Sequence, residues 1–335
     1  MKHILILCAL AFASCIGAKT APISTASIEI KGEPLPAIRH MIDMKMSGDT
    51  LLFVFEGNDG YGQRFLRRAV VDTLRNTFYV SSDMGRRENG YYTSYMPYPF
   101  IADNGTIGVI SQDDCEIYTV VNDTSFVRAQ KYIIDETYSM PFALSRYVQD
   151  IFMTEPDKYV FIGREPNGGR QVAMSVDFNT SRIDSIRQIS ISSKLQAWMP
   201  NVGEMAYSDK YNRLAFAYKL HPVIDIFDTD GKIINSVKIG NETFDPATLD
   251  EADFEDLNPL HTVDITYTHD YIYALYWGYQ FADAKIKKPI ILKIDWAGNV
   301  ISRYSGLTTS LSRIAAVDDS IIIGWNGNEF VIITL

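Results

Sequence analysis

Residues 311–335 read LSRIAAVDDSIIIGWNGNEFVIITL, and this stretch sets the architecture. Its first apolar run, IAAV, stops at Asp318-Asp319. IIIGW follows from Ile321 to Trp325, Asn326-Gly327-Asn328 makes a second turn, and FVIITL runs from Phe330 to the end. Short β-branched and aromatic runs separated by Asp- and Asn-Gly-type turns read as antiparallel strands joined by hairpins. The stretch supplies an inner, a second and a third strand, and no outer one.

Working outward, runs like IIIGW recur along the chain: Thr50-LLFVF, Thr106-IGVI, Lys158-YVFIG, Arg213-LAFAY, Tyr271-IYALY and Ser320-IIIGW, starting 49 to 58 residues apart. Each follows a turn: Gly48-Asp49, Asn104-Gly105, Pro156-Asp157, Asp209 to Asn212, His269-Asp270 and Asp318-Asp319. One strand precedes each turn and, in most repeats, two more follow the run. A repeat of four strands cannot bury both its faces alone and must stack on neighbours around an axis. The expected fold is therefore all-β, a six-bladed β-propeller. The last blade lacks its outer strand, and Ser27-IEIKG at the N-terminus has no other place. Pairing the N-terminal strand into the last blade closes the ring and removes an exposed edge.

Composition agrees with a well-cored β protein. The 335 residues are 47% hydrophobic and 12% aromatic, with 20 Tyr and 17 Phe. A net charge of −10 opposes nucleic-acid binding, which needs clustered cations against phosphate. At the N-terminus, Lys2 and the apolar run His3–Phe12 form a leader too short to span about 30 Å of hydrocarbon. Phe12-Ala13-Ser14-Cys15 resembles a bacterial lipobox with Phe12 as its departure, which implies acylation at Cys15 and a membrane contact through that anchor alone. The expected organisation is a signal peptide over 1–14, a tether over 15–26 and the propeller over 27–335. The residues after Cys15 lack an acidic run, which points to an outer-membrane lipoprotein facing the periplasm. Cys115 is flanked by Asp113, Asp114 and Glu116, which disfavour its thiolate, so it reads as inert.

The leader, the six blades of this length and the segment Leu292–Tyr304 (LKIDWAGNVISRY) resemble the TolB-like six-bladed propeller lipoproteins of Bacteroidales. The resemblance covers about residues 27–335 and implies the fold and the envelope location. It carries no catalytic residue, because a fold does not fix a function.

Chemistry-bearing motifs are sparse. The five His show no metal-ligand spacing, and no G-x-S-x-G, Walker or dinucleotide glycine pattern is present, so no catalytic residue, metal or cofactor is expected. Asp228-x-Asp230-Gly231 and Asn167-Gly168-Gly169-Arg170 read as turns, and Asp250–Asp256 (DEADFED) reads as a solvated acidic face. The starts of the inner strands would ring the channel mouth. They offer Arg39, His40, Arg146, His261 and Arg313 as candidate ligands for a carboxylate or phosphate, or else as structural ion pairs. Tyr91, Tyr92, Tyr95, Trp198 and Trp277 are candidate partner-binding aromatics. The expected function is a non-enzymatic binding or scaffold module for an envelope protein or glycan. The alternative is a lactonase-type metal-dependent hydrolase, and Arg and His at the strand starts, in place of acids, weigh against it.

Overall fold

A computed structural model describes residues 18–35, 37–57, 64–81, 97–101, 107–111, 116–120, 126–131, 149–164, 169–180, 182–240, 245–249 and 256–335. Their strands form six separate sheets. The inner strands are Ile38–Ser47, Pro97–Ile101, Gln149–Glu155, Gly203–Ser208, Leu260–Tyr267 and Arg313–Ala316. Each pairs antiparallel with the strand that follows it, so every blade is a meander. Inner strands of successive blades touch in turn, and blade six touches blade one, so the ring is closed around an axis.

The repeated apolar runs are the second strands: Thr50–Gly57, Ile107–Ser111, Lys158–Arg164, Arg213–Tyr218, Tyr271–Tyr279 and Ile321–Trp325. A second strand is covered on both faces by the neighbouring blades, which is why it reads as a continuous apolar run without alternation. The buried apolar residues fall into six clusters, one at each interface between blades. The interface of blades six and one is packed with aromatic rings, with Phe330 stacked on Phe78 at 4.8 Å and edge-on to Phe53 at 5.3 Å.

Closure occurs as expected in kind, but with different residues. Ser24–Ser27 is the strand that completes blade six, pairing antiparallel with Phe330–Thr334. The segment after it, Glu29–Gly32, goes instead to blade one, parallel to Thr77–Val80. Upstream, Lys19–Pro22 lies parallel to Val300–Ser305 of blade five. The stretch read as a tether is therefore strand-paired from Lys19 onward, and the N-terminal segment laces three blades together. Backbone hydrogen bonds hold it, with few buried apolar side chains, so hydrophobic patterning carries little trace of it. Gly32 ends the lacing at φ +88, where a Cβ would meet the Val80 carbonyl oxygen at 2.3 Å.

Candidate functional site: a polar ring across the channel

Each inner strand places one polar side chain at an equivalent point: Asp43, Tyr98, Asp150, Glu204, Asp264 and Arg313 in blades one to six, with Lys45 two residues beyond Asp43. The register shifts beside Asp43, Asp150 and Asp264, and Asp150 has φ +45. Bulges of this kind turn one side chain out of the regular alternation and are common near functional centres.

Contacts between non-adjacent blades show that these side chains meet across the axis. The Lys45 ammonium lies 3.3 Å from Asp43 and 3.9 Å from Asp150 of blade three. Arg313 lies 3.3 Å from Glu204 of blade four and 3.9 Å from Asp264 of blade five. Its guanidinium also donates to the Ile42 carbonyl at 2.7 Å and the Val263 carbonyl at 2.9 Å, so one side chain touches three other blades. The acids double as latches between neighbours. Asp150 accepts the Met205 amide at 2.7 Å, and Asp264 accepts the Ile314 amide at 2.5 Å.

Among the described residues, Lys45 serves Asp43 and Asp150, Arg313 serves Glu204 and Asp264, and the Arg64 guanidinium lies 5.4 Å from the Tyr98 ring centroid. Burial and the charge of Glu204 push the Asp150 carboxyl up to about 7 and drive Asp264 well above the ordinary range, against the pull of Lys45 and Arg313. Burial opposes the Lys45 ammonium, but Asp43, Asp150 and Glu204 outweigh it and raise its pKa. Arg313 is likewise held charged, with Glu204 and Asp264 overcoming its burial.

A cavity of about 560 Å³ opens at the end of the channel where inner strands turn into second strands. Lys45 joins it to the ring, and Ser47, Tyr207, Ser208, Thr266, Tyr267, Thr268 and Ser320 give it a wall of hydroxyl groups and aromatic rings. His269, Asp318 and Asp319 form part of its rim.

The structure brings Arg313 into the ring and leaves Arg39, His40 and His261 outside it. Arg39 and His40 sit exposed at the start of the first inner strand, at the end of the channel away from the cavity. His261 is half-buried beside Tyr276, its Nδ1 3.2 Å from the phenol oxygen, and burial lowers its pKa to about 4. Trp277 is packed on blade six, donating to the Leu311 carbonyl at 3.0 Å, and Trp198 opens a short 3-10 helix, Met199–Asn201. Cys15, Cys115, Tyr91, Tyr92, Tyr95 and Arg146 lie outside the described residues, as does most of Asp250–Asp256. Of the aromatic segment before blade two, Pro97–Ile101 is the inner strand itself, with Phe100 buried against Tyr159. The Asp228–Gly231 motif is a hairpin turn, Asp228 accepting the amides of Asp230 and Lys232.

The expectation that Arg and His take the place of acids in the channel is overturned, since Asp43, Asp150, Glu204 and Asp264 line it. These were legible as one recurring position, MI-Asp43-MKM, VQ-Asp150-IFM, VG-Glu204-MAY and TV-Asp264-ITY. Lys45 contacts Asp43 and Asp150, Arg313 contacts Glu204 and Asp264, and among the described residues no group of three His, Cys, Asp or Glu side chains is placed to hold a metal ion.

Known proteins with this geometry are β-propellers. A member of the DUF4221 family from Bacteroides vulgatus superposes with a TM-score of 0.57 at 12% identity, covering 95% of this chain and 97% of that one. A structural genomics protein from Bacteroides thetaiotaomicron gives 0.52 at 11% identity, over 93% of this chain and 76% of its own length. Regucalcin from Agrobacterium tumefaciens, a calcium-binding protein, gives 0.51 at 11% identity over 95% of both chains. At these identities the likeness is one of fold. No family model and no curated protein matches the sequence.

Proposed function

We propose that the chain is a binding propeller of the bacterial cell envelope, TolB-like in build, tethered through an acylated Cys15 and recognising a glycan or glycan-bearing protein. One observation carries the binding reading: the channel acids are engaged by the protein's own cations and amides, so they act as cross-blade ties. The cavity beside them is the recognition site. Hydroxyl groups and tyrosine faces are the groups that pair with sugar hydroxyls and stack on sugar rings. Tyr267 is set by edge-on contacts with Phe152 and Trp296, which fixes its ring before a ligand arrives.

The test is affinity capture from envelope extract with the chain from residue 15 onward carrying Cys15→Ser, beside the same chain with Ser47→Trp and His269→Ala. A partner held by the first and lost by the folded second supports the reading. Capture that is equal for both, or absent for both, rejects the cavity as the recognition site.

A further inference from the structure

Residues 280–289, which join the second and third strands of blade five, break the surface pattern of this acidic protein. Phe281 is 58% exposed and Ile286 is 83% exposed. Lys285, Lys287 and Lys288 are all exposed beside them, with Asp283 the only acid, so the loop carries about +2 in a chain of −10. Leu257, 47% exposed, adjoins it, because the Gln280 amide donates to the Leu257 carbonyl at 2.8 Å.

The loop is preformed. Phe281–Lys285 is a 3-10 helix whose Ala284 carbonyl accepts the Ser310 hydroxyl. Phe281 continues a ring stack with Trp277 at 6.3 Å and Tyr279 at 5.1 Å from Trp277. Asp283 holds Lys287 at 2.8 Å, leaving Lys285 and Lys288 at the edge of the apolar pair. Holding apolar side chains outward in this way removes most of the ordering cost of docking them.

We infer that this loop docks on an anionic lipid surface, with Phe281 and Ile286 at the acyl boundary and the lysines against headgroup phosphates. Apolar side chains ringed by lysine fit a headgroup layer, where the cations meet phosphate and the apolar tips reach the acyl chains. They fit a protein interface less well, since lysine is depleted there. Asp256, exposed beside Leu257, opposes the electrostatic attraction. The inference does not depend on acylation of Cys15 or on a ligand in the channel cavity.

The test uses the chain from residue 15 with Cys15→Ser and flotation with phosphatidylcholine vesicles, with and without phosphatidylglycerol. Binding is expected to the anionic vesicles and to weaken in high salt. Phe281→Ser with Ile286→Ser should lower the bound fraction roughly tenfold or more. Lys285→Ser with Lys288→Ser should remove the preference for phosphatidylglycerol. Brominated acyl chains should quench Trp277, read as the difference between the parent and Trp277→Phe. Absence of binding to both vesicles, or binding unchanged by both sets of substitutions, overturns the inference. So does an envelope protein that needs the same residues while vesicles are ignored.

Discussion

Arg313→Met should destabilise the propeller more than any surface change, by an amount that depends on pH. The substitution removes hydrogen bonds to the Ile42 and Val263 carbonyls and strips Glu204 and Asp264 of their cation. Breaking a buried ion pair by deleting one partner costs about 3–5 kcal/mol, because an uncompensated charge stays behind. That cost applies while the acids are ionised. Asp264 is already shifted upward by burial, and without Arg313 its folded pKa rises further. A carboxyl raised in the folded state favours folding at low pH and loses that contribution as pH rises through its folded value. The penalty should therefore be largest at pH 8 and shrink towards pH 5, by up to ~1.4 kcal/mol per pH unit in the titrating window. Guanidinium unfolding followed by tryptophan fluorescence at both pH values measures it. Arg313→Lys, which keeps a charge, should fall between the parent and Met. A loss under about 1 kcal/mol at pH 8, or one that does not change with pH, would refute the claim that Arg313 ties the ring.

Other outcomes follow from the same geometry. Asp150 is raised to about 7, so the parent should lose stability between about pH 4 and 7 relative to Asp150→Asn, in matched urea titrations. His221 and His261 are lowered to about 4 by burial, and each contributes stability that is lost as pH falls from the unfolded His value; NMR titration should show both neutral at pH 6. In Gly203→Ala the new Cβ would meet the Ala217 carbonyl oxygen at 2.2 Å, so the backbone must move, at a cost of about 1–3 kcal/mol by thermal unfolding. Deleting residues up to Ser27 should expose Phe330–Thr334 as an edge, read as faster amide exchange there and concentration-dependent association.

The six second strands were legible because covering on both faces imposes a local signal, the apolar run after a turn. Of the lacing strands, Glu29–Gly32 was legible as a strand but was assigned to the last blade, while STAS and KTAP, held by main-chain bonds, were not legible. The ring was partly legible. Arg313 was reached by its place at the start of an inner strand, whereas Asp43, Asp150, Glu204 and Asp264, though they recur at one position of the repeat, were not read as a set. Their meaning lies in six distant positions converging on one axis. The cavity lies at the opposite end from Arg39 and His40, and no local pattern distinguishes the two ends of a blade.

The account rests on the channel acids being committed to Lys45, Arg313 and backbone amides. The most direct check is metal content and calcium and zinc titration calorimetry on the purified chain, beside Asp264→Asn. The account predicts no ion at one per chain and no heat that the substitution removes. A stoichiometric ion, lost in Asp264→Asn, would contradict it and make the channel a metal centre.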